Sequence, residues 1–277
     1  MNHFKTVALL GLLSGLLIAV SYAIGGTTGA FFGVILAALT NFGSWYYSDR
    51  IALTAYGAQP VSPAQAPELA MMVQTLSDRA GLPMPALYIV PSQSANAFAT
   101  GRDPDHAAVA VTQGIISLLP ADELEAVIAH ELSHIQNRDT LTQAVAATIA
   151  GGISFLAQMA FWFIPMGRDD DGPNPLVGLL MLIVAPIAAT VIQLGISRTR
   201  EFAADAGAAQ LTGNPRALAK ALQRLDQNAR QLPLNGNPAF EPLLIMNGFS
   251  GKFVSKLFST HPATEARIER LLQLEGK

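Results

Sequence analysis

Cysteine is absent from the 277 residues. Disulfides are therefore excluded, a reducing compartment fits, and any transition-metal site has to be built from histidine and carboxylate. Charge is scarce as well: Asp, Glu, Lys and Arg make up 13% of the chain, against roughly 25% in an ordinary soluble domain. With 51% hydrophobic residues, this deficit points to a membrane. The 17 basic and 20 acidic residues leave a formal charge of -3, and no run rich in Lys and Arg occurs. The chain thus lacks the basic field that a nucleic-acid partner requires. No internal repeat is evident.

What the chain does have is long uncharged stretches. Residues 6–48 contain no Asp, Glu, Lys or Arg, and two apolar runs, 7–24 and 30–45, flank Gly25, Gly26 and a threonine pair. Each run is close to the roughly 20 residues that a helix needs to cross a bilayer core. Lys5 ahead of the first run also suits a secretory signal, but a cleaved signal is not normally followed at once by another span. A second uncharged block covers 140–167, the acidic turn Arg168-Asp169-Asp170-Asp171 follows, and a third block covers 172–197. This predicts a second hairpin, with Gly151-Gly152 as a close-packing point and Pro186 as a kink. A pair of buried core helices is the alternative. The acidic turn is not a calcium loop, because Gly167 stands where the first ligand before Gly172 belongs. Lys5 and Arg50 flank the first hairpin, Arg138, Arg198 and Arg200 flank the second, and Arg168 lies opposite. That bias places both termini and the polar segments in the cytoplasm.

The polar segments are 49–139 and 198–277. In the first, Leu69, Met72, Val73 and Leu76 recur on one face of residues 67–80, which predicts an amphipathic helix. Strand-like runs follow at 87–90, 96–100 and 107–112, broken by Pro91-Ser92 and by 101–104. A small sheet beside helices is the economical reading. In the second segment one helix contains Glu201, another starts at Asn214-Pro215, a good cap and first-position pair, and a last one follows His261-Pro262.

Residues 120–138 read as a helix: Asp122 and Glu123 suit its first turn, and Leu124, Val127, Ile128 and Leu132 form an apolar stripe. It carries His130-Glu131-Leu132-Ser133-His134. Residues four apart on a helix share a face, so both imidazoles can reach one zinc ion, with Glu131 beside them to activate a water. Two surface histidines on an ordinary helix are the bland alternative. A third histidine at the metzincin spacing is missing, since Asn137 and Thr140 occupy the Gly and His positions of that pattern. A downstream carboxylate is expected instead. Glu201 is the candidate, and Asp205, one turn on and on the same face, can accept a hydrogen bond from a ligand imidazole. The spans check this pairing: two crossings separate His134 from Glu201 and return the chain to the same side. At 1.5 Å per helical residue the metal should lie within roughly 10 Å of the bilayer surface.

Ser94-Ala95-Asn96-Ala97-Phe98-Ala99-Thr100-Gly101, the His130 to His134 motif with Asn137 and Asp139, the stretch 198–205 and Ser259-Thr260-His261-Pro262 follow one another among these spans. In that order they resemble the HtpX family of bacterial membrane zinc proteases, related to the eukaryotic CAAX prenyl endopeptidases, over essentially the whole chain. The resemblance implies a mainly α integral membrane protein: four transmembrane helices in two hairpins plus a cytoplasmic gluzincin-like α+β metallopeptidase domain with a small sheet. The division expected is 1–48 and 140–197 as hairpins, with 49–139 and 198–277 as the two parts of the catalytic domain. The resemblance further implies one zinc ion on His130, His134 and Glu201, Glu131 as general base, and Asp205, Asn137, Asp139 and Arg200 around the ligands. Asn96, Ala97, Phe98 and Ala99 look like the edge strand on which an extended substrate is laid, although read alone they are only a short strand. His261 is implied as a donor to the tetrahedral intermediate, with a helix-capping role as its alternative. His3 and His106 match nothing, and Ala263 stands where a second proline is frequent. The implied role is quality control in the bacterial inner membrane, with membrane lipid as surroundings and misfolded or damaged membrane proteins as substrates, cut on the cytoplasmic side. A CAAX-type processing endopeptidase of narrow specificity is the alternative, disfavoured by a span count of four. A non-enzymatic zinc-containing scaffold is another, disfavoured because it has no need of Glu131.

Overall fold

A computed structural model describes residues 2–149, 198–232, 243–246 and 262–275. Most of the second expected hairpin, with Gly151, Gly152, the acidic turn and Pro186, lies outside the described residues, and so does His261.

Helix α1 (Asn2–Tyr46) is a helical hairpin rather than one rod. Its helical dihedrals break at Gly25 (φ −128°) and Gly26 (φ 59°, ψ −142°), the second a conformation that glycine reaches without a Cβ clash. The arms then fold together: Asn41 Nδ2 donates to Ser14 Oγ at 2.8 Å. A Cβ on Gly29 would fall 2.0 Å from Ser21 O, and one on Gly33 would fall 2.8 Å from Ser21 Cβ. Small residues therefore set how closely the arms approach. The second arm, Gly25–Tyr46, is long and apolar enough to cross a membrane, with a mean hydropathy of 1.3 and 11% of its apolar window buried. Four spans were expected, but among the described residues only this helix meets the requirement. Leu10–Ala19 and Thr140–Ile149 are apolar and shorter among the described residues, which end at Ile149 in the second case.

After α2 (Ser48–Ala55) comes a four-stranded sheet of β1 (Gln59–Pro60), β2 (Ala86–Val90), β3 (Ala97–Gly101) and β4 (Ala107–Thr112), in the order β1-β2-β4-β3. β2 runs parallel to β4 and β3 antiparallel to it, so β3 is an edge strand. Every residue of β3 and β4 is buried, because both faces of the sheet are covered. Ala97, Ala99, Val109 and Val111 face α3 (Pro67–Ala80) and α5 (Ala121–Gln136) in one core. Phe98, Ala108 and Ala110 face Ala52 and Leu53 of α2 and its C-cap Tyr56, together with Ala144, Ala147, Leu243 and Leu244, in a second. Strands covered on both sides read as continuous apolar runs, as these do. β1 was not expected: Gln59 and Pro60 are exposed and carry no strand pattern, and they pair only with Ile89 and Tyr88.

Next come α4 (Gln113–Leu118), α5, α6 (Thr140–Ile149), α7 (Arg198–Thr212), α8 (Pro215–Gln231) and α9 (Thr264–Leu272). The expected cap of α8 is present, with the Asn214 side chain accepting from Ala217 N at 3.1 Å and Pro215 in the first turn. α6 packs Val145, Ala146 and Ile149 against Leu13 of α1, joining the hairpin to the helix that follows the histidine motif.

Candidate active site

α5 begins one residue later and ends two earlier than the apolar pattern suggested. Pro120 precedes it and Asn137 is its C-cap. Arg138 has a left-handed φ of 57°, which turns the chain so that Asp139 N donates back to His134 O at 2.9 Å. This is a Schellman closure with arginine where glycine is usual. Its consequence is chemical: the Asp139 carboxylate returns to the helix it has left, with Oδ2 3.3 Å from His134 Nδ1. Asn137 is exposed at the cap.

α7 lies against α5 at the motif. Gly207 permits this approach, because a Cβ there would meet Ser133 Oγ at 2.5 Å. Glu201, Ala204, Asp205 and Ala208 are all buried, as the face of α7 turned to α5 requires. His130 Nε2 is 3.8 Å from Glu201 Oε2, and His134 Nε2 is 3.7 Å from Glu201 Oε1. One donor atom from each of the three residues lies within 4.8 Å of the others. Tetrahedral zinc with bonds of ~2.0–2.1 Å sets its donors roughly 3.3 Å apart, so the set fits such an ion after a small contraction. The other ring nitrogens are engaged: His130 Nδ1 is 3.0 Å from Asp205 Oδ1, as His134 Nδ1 is near Asp139. Each carboxylate holds its imidazole with Nε2 toward the common centre. Arg200 is buried, with Nη1 3.8 Å from Asp139 Oδ1.

Electrostatics follow from the burial. Burial holds the His130 ring down to about 4 in spite of Asp205, so it stays in the neutral form that ligates metals. Burial also opposes charge on His134, but Asp139 and Glu201 outweigh it and raise that ring; metal binding displaces such a proton. Burial pushes the Glu131 carboxyl up to about 7, and a cation on the adjacent ligands pulls it down again. Glu131 Oε2 accepts from Ala99 N at 2.8 Å, which ties the carboxylate beside the ligands to edge strand β3.

Residues 63–275 match the profile of Peptidase family M48. The chain belongs to that family. Over 99% of its length it is 69% identical to a Protease HtpX homolog of Trichormus variabilis, of which it covers 97%. It is 49% identical to a Protease HtpX homolog of Pyrococcus furiosus, over 98% of the chain and 95% of that protein. The chain is accordingly an HtpX-type zinc metalloprotease of family M48. The crystal structure of S. mikatae Ste24p shares its fold, with a TM-score of 0.53 at 18% identity over 98% of the chain. The chain spans 65% of that protein.

The sequence reading of this M48 site missed Arg267. It is 1% exposed, and its Nη2 and Nε donate to Asp205 Oδ1 and Oδ2 at 2.7 and 2.9 Å. Arg267 outweighs burial and holds the Asp205 carboxyl below its usual value. Its signal was available: Arg267 lies one turn from Leu271 on the buried face of α9, where a charge needs a partner. Gln143, Leu243, Leu244 and Ile245 also border the ligands, and nothing in the local pattern marks them.

Proposed function

We propose that this metalloprotease is an endopeptidase of the bacterial inner membrane, with His130, His134 and Glu201 holding zinc and Glu131 acting as general base. The observation that carries the reading is the convergence of those three donors beside a carboxylate anchored on the edge of a sheet. Bound there, zinc supplies a Lewis acid that polarises a peptide carbonyl and acidifies water. Glu131 takes the proton of the attacking water and passes it to the leaving amine, while its bond from Ala99 N fixes it against β3. Asp205 and Asp139 keep the two imidazoles in one tautomer, and Arg267 balances the charge of Asp205. Asn96, Ala97, Phe98 and Ala99 offer an edge for an extended substrate, and His261, by family resemblance, is a donor to the oxyanion. The apolar hairpin supports a membrane setting with multiple spans, and the distribution of Lys and Arg supports a cytoplasmic site. Misfolded or damaged membrane proteins are the proposed substrates. In purified protein, Glu131→Gln should lower cleavage about 10²–10⁴-fold with zinc retained, and Glu201→Ala should lower zinc content by metal analysis. Cleavage by the first variant at the native rate would remove Glu131 from the mechanism.

A further inference from the structure

Leu243, Leu244, Ile245 and Met246 are all buried, and they lie where a substrate would need room. Ile245 N donates to Ala97 O of β3 at 3.1 Å, and Asn96 Nδ2 donates to Met246 O at 3.1 Å. Arg267 Nη1 donates to Ile245 O at 3.2 Å. Leu243, Leu244 and Ile245 share one hollow with His130, Glu131, His134 and Glu201, and that hollow has no room even for a water-sized group. A pocket for even a small molecule occupies roughly 300–1,000 Å³. One side of β3 pairs with β4, so strand addition can use only the other, and on that side Ile245 already holds the Ala97 carbonyl.

We propose that residues 243–246 are an internal occluder, which holds the substrate edge of β3 in the resting protease and leaves when an extended polypeptide takes that edge. This rests on the reading of Asn96 to Ala99 as the substrate edge. Among the described residues a single backbone bond joins the segment to β3, because Ala99 N, the next odd residue along the strand, donates to Glu131 instead. Apart from the side-chain bonds of Asn96 and Arg267 to its carbonyls, the segment is held by the burial of four apolar side chains, a non-directional force that other apolar side chains can replace. The substrate class that displaces it is therefore an extended polypeptide with consecutive bulky apolar residues, the composition of an unfolded membrane span.

The lack of cysteine makes the test direct. Full-length zinc-loaded protein carrying Glu131→Gln, to stop cleavage, and Leu244→Cys as its one thiol is treated with a maleimide in detergent, with and without β-casein. Labelling should be slow alone and about ten-fold faster in saturating β-casein, since local opening exposes the thiol. Leu222→Cys in the core face of α8 should not respond, which separates movement of the segment from general loosening. Met246→Cys replaces Leu244→Cys if the latter folds poorly. Fast labelling without β-casein overturns the occluder. So does an unchanged rate with β-casein that the Glu131-intact protein cleaves, and in that case the protease reading stands. β-Casein left intact by the Glu131-intact, zinc-loaded protein counts instead against the endopeptidase reading on which the occluder rests.

Discussion

The second arm of α1 and the motif helix α5 are both rich in apolar residues, and they aim them in opposite directions. In α1, Phe31, Phe32, Val34, Ile35, Leu36, Leu39 and Phe42 are exposed, while Asn41 pairs with Ser14 between the arms. In α5, Leu124, Val127, Ile128 and Leu132 are buried, and so are His130, Glu131 and His134. A buried charge is tolerable only beside partners that replace water, and α5 receives Asp139, Glu201, Asp205 and Arg267 from elsewhere in the chain. The side chains named on the second arm receive no such cover among the described residues. Its exposed apolar side chains suit a low-polarity medium outside the protein, which is the proposed lipid. One helix is shaped by its protein neighbours, the other by its solvent.

The contrast can be broken most strongly at the charged pair. Asp205→Ala removes the two-bonded partner of buried Arg267, leaving it Glu201 Oε2 at 3.8 Å, and should cost about 3 kcal/mol of stability, read as a loss of thermal stability. The double variant Asp205→Leu with Arg267→Met should recover most of that loss, because it removes both charges at similar volume. It should still bind zinc about 10–100-fold more weakly, since His130 Nδ1 has lost its acceptor. Recovery of both properties would show that Asp205 serves stability alone. A charge on the hairpin tests the other side of the comparison. Ile35→Lys should disfavour insertion by about 2.5–3.5 kcal/mol if the residue meets the centre of the bilayer, read as the fraction of protein in the membrane. The protein that does insert should keep its full zinc content. An unchanged membrane fraction would mean that this face does not meet lipid.

Smaller effects probe how closely the buried helices fit. Gly207→Ala should push α7 off Ser133 and cost about 1–3 kcal/mol, as overpacking does, with zinc affinity falling alongside. Ser133→Ala should restore part of both, because it removes the nearest atom. The least change is expected at the turn after α5. Arg138→Gly relieves a left-handed arginine and should raise stability by no more than about 1 kcal/mol, with zinc content unchanged as long as Asp139 still returns to His134.

The sequence made local features legible. Four-residue spacing alone put His130 and His134 on one face, and amphipathic periodicity marked 67–80, which the structure forms as α3. β4 matches its expected bounds, and the glycine pair breaks α1 as the hairpin required. Glu201 was reachable because chemistry demanded a carboxylate and the spans limited where it could stand. The structure brings it to the two histidines, and Asp205 to His130, as that reasoning proposed. β3 opens at Ala97 rather than Asn96, since Asn96 N donates to the Thr112 side chain.

What the sequence by itself determined is therefore the order of α3, β2, β3, β4, α5, α7, α8 and α9 and the chemical types at the candidate metal centre, because both are written in short-range spacing. Only the tertiary structure decided that Arg267 neutralises Asp205, that α7 approaches α5 at Gly207, that the two-residue β1 extends the sheet, and that Ile245 lies on the open edge of β3. Each of these depends on groups brought together from distant parts of the chain. No window of neighbouring residues contains that information, since the energy of a buried charge or a filled strand edge is set by what lies across from it.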